Sequence, residues 1–166
     1  MNKQTPLYLH SGNYAYEHGE LKLYQASFQA NVACREAIEQ AIADHYGNNR
    51  LDAACTDQVV ERFGYDRVFC VLANTVQHKE WDGRISRENK AWAKTIPVAP
   101  GYGGDRNDYF VVDCVNPGLT DLFISIVRKN YERDQEKKLS VRETLKQNSG
   151  KKEQIETPKK HKRPER

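Results

Sequence analysis

Apolar residues recur between Tyr65 and Arg84 at the spacing of a helix. Val68, Phe69, Leu72 and Val76 follow one another at one, three and four positions, the stripe of a helix packed into a core. That helix runs into Asp82-Gly83, a turn signal. Upstream, Tyr24, Phe28 and Val32 step by four, and Ile38, Ile42 and Tyr46 continue the step. The pattern predicts one long helix over residues 20–46. Glu20 favours its dipole, and Gly47-Asn48-Asn49 ends it. Residues 51–63 read as a further helix, capped by Asp52 or Thr56, with Val59, Val60 and Phe63 inward. Gly64 breaks it. Ser11 caps a short helix over 13–18 that Gly19 closes, and Ser86 caps another over 87–94 with Trp92 as its packing anchor. Asn116-Pro117-Gly118 leads into a last helix, whose buried face is Leu119, Leu122, Phe123, Ile126 and Val127.

Two runs read as strands. Tyr109 to Val115 is β-branched and aromatic, and it is expected to pair with Leu7–Leu9, where Pro6 suits an edge. The fold expected is therefore α+β, mainly α, with five or six helices, a small two- or three-stranded sheet and a charged C-terminal arm. Residues 1–131 form the globular domain. Past Tyr131 the apolar content collapses, and residues 132–166 read as a basic, mostly disordered tail. Within it, Ser140-Val141-Arg142-Glu143 fits a capping box and Val141 and Leu145 are four apart, which predicts a short helix at 139–147.

Charge sharpens this division. Residues 128–166 carry 14 Lys or Arg against 7 Asp or Glu, net +7; the remaining 12 and 16 leave residues 1–127 at net −4. A mildly acidic body with a basic arm points to an anionic or nucleic-acid partner for the arm, against the alternative of a charged tail that only keeps the chain soluble. Lys151, Lys152, Lys159, Lys160, Lys162 and Arg163 are the candidate phosphate contacts. The 166 residues suit one domain plus an appendage. No apolar run approaches the roughly 20 residues of a membrane span, and no apolar signal region follows the N-terminus. A cytoplasmic protein is expected.

Standard catalytic signatures are missing from the sequence. Gly101-x-Gly103-Gly104 is neither a dinucleotide fingerprint nor a phosphate loop. No Gly-x-Ser-x-Gly or His-Glu-x-x-His run occurs. Cys34, Cys55, Cys70 and Cys114 are scattered singly and read as buried free thiols, not as a zinc set. The five histidines form no i,i+3 or i,i+4 ligand pair. No metal, no cofactor and no enzymatic activity is expected. The densest polar decoration on an apolar frame is Asn74, Gln77, His78, Trp81, Asp82 and Arg84, the candidate partner-binding surface. The plainer alternatives are that His78 partners the helix dipole, Asp82-Gly83 only turns the chain and Trp81 plugs the core. An enzyme site around Asn74, His78, Asp82 and Arg84 is the weakest of the readings.

The run from Asp66 to Gln77, followed by Asp82-Gly83-Arg84-Ile85-Ser86 and Asn89-x-x-Trp92-Ala93, resembles an uncharacterised domain family carried by conjugative elements and phages of gut Firmicutes. The resemblance spans about residues 7–131, on the order of one domain. The stretch 139–146 is similar to a segment that recurs near the C-termini of such mobile-element proteins. The resemblance implies a setting and no catalytic residues. In that setting the leading expectation is a non-enzymatic inhibitor of a host defence nuclease, of the CRISPR or restriction type, that binds the nuclease or its nucleic-acid complex. The alternative is a nucleic-acid-binding accessory factor for plasmid or transposon maintenance that uses the basic arm.

Overall fold

Ser11 opens the first helix: its Oγ accepts the Tyr14 N–H at 3.1 Å and caps α1 (Gly12–Glu17). The computed structural model in which this is seen describes residues 5–48, 50–98, 100, 111–112 and 116–162, with the backbone path alone over 147–162. It divides into two units, Met1–Val127 and Arg128–Arg166. In the first unit, α2 (Leu21–His45) buries Ser27, Asn31, Cys34, Ile38 and Ile42. Steps of four, three, four and four put these on one face. Tyr24, Phe28 and Val32, expected inward, are only half-buried, and Tyr46 is exposed. Over Ser27 and Asn31 the buried face carries small and polar side chains, because the N-terminal segment and a buried arginine pack against it there.

Where one helix was expected over residues 51–63, the chain makes three short pieces. β1 (Tyr46–Gly47) pairs antiparallel with β2 (Arg50–Leu51), with Tyr46 opposite Leu51. Asn48 takes φ 53° in the connecting turn, a conformation asparagine tolerates better than most residues. A 3-10 turn, Ala53–Thr56, follows, with Asp52 Oδ1 accepting the Ala54 N–H at 3.0 Å. Then comes α3 (Asp57–Phe63), which buries Val59. Gly64 at φ 81° and ψ 155° lies between the two helices, as the C-cap of α3 and the N-cap of the helix that follows. That φ favours glycine.

The next helix is the centre of the unit. α4 (Tyr65–His78) is buried at every position from Arg67 to Val76, so it is enclosed on all sides instead of showing one apolar stripe. It packs on α2, on α3 and on α5 (Arg87–Ala93), which Ser86 caps by accepting the Asn89 N–H at 3.2 Å. Trp92 of α5 sets its ring edge-on to Phe69 of α4 at 5.2 Å, the anchor expected. α6 (Pro117–Lys162) begins in this unit. It buries Phe123, Ile124 and Val127, while Leu122 faces outward. Asn89 Nδ2 donates to Asp121 O, Asp121 Oδ1 and Ser125 Oγ at 3.1, 2.7 and 3.2 Å, which fixes α5 to the first turns of α6.

The small sheet is two-stranded, as expected, but lies elsewhere. Leu7–Leu9 is no strand. Helix side chains hold this stretch of chain instead: Ser27 Oγ accepts the Tyr8 N–H at 3.0 Å, and just before it Arg67 Nη2 donates to Thr5 O and Pro6 O. Of the other expected strand, residues 109–110 and 113–115 lie outside the described residues. Val111 and Val112 are not in a strand, and the Val112 N–H is taken by Thr75 Oγ1 at 3.0 Å.

In the second unit α6 continues to Lys162, where a mostly disordered tail with a short helix at 139–147 was expected. Glu, Lys, Gln and Arg are strong helix formers, and Asp134 precedes Lys138 at the favourable i,i+4 spacing. Ser140 therefore sits inside a helix instead of capping one; its carbonyl accepts the Thr144 hydroxyl at 2.9 Å. Leu139, Val141 and Leu145 are exposed. Among the described residues no helix is long and apolar enough to cross a membrane.

Candidate partner-binding site

Residues 79–86 join α4 to α5 in a turn built around one carboxylate. Asp82 Oδ1 accepts the Arg84 backbone N–H at 2.9 Å and Arg84 Nε at 3.0 Å, and Oδ2 accepts Nη2 at 2.8 Å. The Asp82 N–H donates to Lys79 O at 2.9 Å, and Ile85 is buried beneath. Asp82 is itself only 4% exposed, whereas Arg84 keeps 55% of its side chain in solvent. Trp81 stands 79% exposed beside this fork, so it does not plug the core. A large apolar ring held in water on a turn braced by a two-point ion pair is costly to leave uncovered.

The other sequence-predicted residues fall differently. Asn74 is buried within α4, so a surface role does not hold for it; the helix is enclosed all round at that level. Gln77 Nε2 donates to Ala93 O at 3.1 Å and ties α4 to α5. His78 ends α4 with its Nδ1 donating to Asn74 O at 2.9 Å, close to the dipole-partner role. The structure exposes Trp81 and Arg84 on the turn around buried Asp82 and turns Asn74 and Gln77 inward. In the arm, Lys151, Lys152, Lys159, Lys160 and Lys162 fall on the stretch of α6 described by its backbone path, and Arg163 lies outside the described residues.

The Arg84 guanidinium, with the Arg84 backbone N–H, holds the Asp82 carboxyl down at about 2. A depressed carboxyl stabilises the fold fully above its ordinary range near 4 and loses that contribution as pH falls toward 2. Thermal stability is therefore expected to drop between about pH 4 and pH 2 more steeply in the wild type than in Asp82→Asn, whose overall stability at neutral pH is lower. Equal slopes for the two proteins in a melting series across that window would contradict the fork. Gly83 has no positive φ and nothing within 4 Å of an added Cβ, so the aspartate side chain and not the glycine makes this turn. Gly83→Ala is expected to raise stability by about 0.4–1 kcal/mol through the unfolded chain, read from a denaturation midpoint.

Other chemistry is weaker. Burial pushes the Cys34 and Cys55 thiols up to about 12, which leaves them protonated and poor nucleophiles. Cys34, Cys55 and Cys70 are buried thiols; Cys114 lies outside the described residues. Among the described residues no group of three or more His, Cys, Asp or Glu side chains is placed to hold a metal ion. The tyrosine-rich start packs on itself: His10, Tyr14 and His18 stack at 4.0 and 3.8 Å, and the Tyr8 hydroxyl donates to Glu20 Oε1 at 3.0 Å. One concavity was missed by the sequence reading, a groove of about 400 Å³ between α2 and the 3-10 turn and α3. Ala33, Ala37 and Ala41 line it with buried Cys55 and Val59, and exposed Glu36 and Asp44 stand at its edge. The signal available in the sequence was alanine at every fourth position.

A family model described as a protein of unknown function (DUF3849) matches residues 7–132. No curated protein and no solved structure matches the chain.

Proposed function

The chain belongs to this DUF3849 family, and from that premise we propose that it is a non-enzymatic binding protein of a mobile genetic element. It acts in the cytoplasm and inhibits a host defence nuclease, of the CRISPR or restriction type, by docking on the nuclease or its nucleic-acid complex. The single observation that carries the reading is the exposed Trp81 beside the braced Asp82–Arg84 fork. Tryptophan and arginine are the residue types that dominate interface energetics, and a rigid turn loses little entropy when it is covered. The net −4 of residues 1–127 suits a partner surface that is basic because it handles nucleic acid. The resemblance over residues 66–93 supplies the mobile-element setting.

The test is interference. A plasmid carrying a nuclease target is introduced into hosts with an active CRISPR or restriction system, with and without this protein. Wild type is expected to raise transformation by about tenfold or more. Trp81→Ala and Arg84→Ala are expected to abolish that gain, since loss of a central anchor costs about 2 kcal/mol or more of binding, while folding stability stays within about 0.5 kcal/mol for Trp81→Ala. No gain in any such host with well-expressed wild type would end the inhibitor reading. A gain that survives both substitutions would move the contact away from the turn.

A further inference from the structure

The geometry points to a nucleic-acid surface on the second unit, formed by Lys129, Arg133 and Lys137 of α6 and distinct from the charged residues of the C-terminal end. All three are exposed. They succeed one another by four, which places them on one face of the helix at rises of about 6 Å. The same step next reaches exposed Val141 and then Leu145, with the hydroxyls of exposed Ser140 and Thr144 beside them, so the row carries no large apolar side chain between 129 and 137. Glu132, Glu136 and Glu143 are gathered on a neighbouring strip at steps of four and seven. A second exposed row, Lys138, Arg142 and Lys146, repeats the four-residue step on the far side.

This arrangement is a poor choice for a helix that only needs to be soluble. Like charges four apart repel, whereas alternating signs at that spacing attract. Lys129 to Arg133 and Arg133 to Lys137 are both like-charged steps. Carboxylates stand three residues beyond Lys129 and Arg133, yet among the described residues none of the three cations is in an ion pair. A polyanion reverses the balance, because each phosphate brought to the row releases condensed counterions. The occupant is the backbone of double-stranded DNA, read without regard to base sequence, since a row of flexible cations has no fixed geometry for base edges. An anionic membrane fits less well: Leu139, Val141 and Leu145 are the exposed large apolar residues there, and they form no continuous apolar face of the kind that inserts between headgroups.

The experiment uses the full chain, a mixed-sequence DNA duplex of about two helical turns and fluorescence anisotropy across a salt series. The key variant is Lys129→Gln/Arg133→Gln/Lys137→Gln, which keeps helix propensity and leaves Trp81 and its turn untouched. Its log affinity against log salt is expected to be shallower by about 2–3, near 0.9 for each phosphate lost. At low salt its affinity falls on the order of 10- to 100-fold. Glu132→Gln/Glu136→Gln is expected to bind more tightly than wild type, a gain that misfolding does not produce. The proposal is overturned if wild type does not bind the duplex at low salt, or if the triple variant keeps the wild-type slope. It is overturned equally if only Lys151→Gln/Lys152→Gln/Lys159→Gln/Lys160→Gln flattens the slope, or if vesicles of anionic phospholipid and not the duplex retain the protein through the row. The interference test above fails or succeeds independently of these results.

Discussion

Arg67→Met is expected to melt about 6–20 °C below the wild type. Arg67 is a buried arginine on the central helix. Its Nη1 donates to Ser27 O at 2.9 Å, to Ser27 Oγ at 3.3 Å and to Asn31 Oδ1; its Nη2 donates to Thr5 O at 2.9 Å and Pro6 O at 3.1 Å. Among the described residues its partners are neutral oxygens from α2 and the N-terminal segment. Burial pulls its pKa down from the usual arginine value, but a guanidinium stays charged at any physiological pH. One side chain thus holds three parts of the chain together. Methionine fills much of the volume and supplies no donor, so several enclosed acceptors lose their partner at about 1–3 kcal/mol each, partly offset by rearrangement. A net loss of about 3–5 kcal/mol follows, which at this chain length is on the order of 2–4 °C per kcal/mol. Arg67→Lys keeps the charge but not the fork, and it is expected to recover less than half of the loss. A melting temperature within about 2 °C of wild type for Arg67→Met would show that the hub is not what holds the N-terminal segment.

Asn89→Leu is expected to cost about 2–3 kcal/mol. Asn89 is fully enclosed, and its amide serves Asp121 and Ser125 across the α5–α6 contact, while Asp121 Oδ1 also accepts the Ser86 N–H at 2.9 Å. Leucine has nearly the same size and no donor, so a carboxylate is left half-solvated against an apolar wall. Asn89→Asp is expected to be worse, because two carboxylates then share one site. Denaturant midpoints separate these cases: an order of wild type, Leu, Asp supports the bridge, and a Leu variant at wild-type stability removes it. Asn89 and Trp92 belong to the stretch that carries the family resemblance, and both are placed to hold the fold: one binds α6, the other packs on Phe69.

The identity of the helices was legible in the chain because local chemistry sets them. Ser11 and Ser86 cap where a hydroxyl before an amphipathic run must cap. Gly64 divides α3 from α4 because few other residues take its φ. The polar turn after α4 was visible for the same reason: Asp82 bonds to a backbone only two residues away. What the sequence hid is whatever depends on residues far apart. Nothing local marks Arg67 as buried: Ser27 and Thr5, forty and sixty-two positions away, close around it. Leu7–Leu9 reads as a strand, but Ser27 of α2 takes the Tyr8 N–H and Arg67 of α4 takes the Pro6 carbonyl just before it, so side chains and not a partner strand hold this stretch. Asn74 and Trp81 look alike as polar and aromatic decoration of one helix end. Enclosure by neighbouring helices buries the first, and the Asp82 turn lifts the second into solvent. Local hydrogen bonds and backbone preference act over a few residues and leave their mark in the sequence. Burial is settled only when distant segments meet, and in this protein it decides which polar residues hold the core and which face solvent.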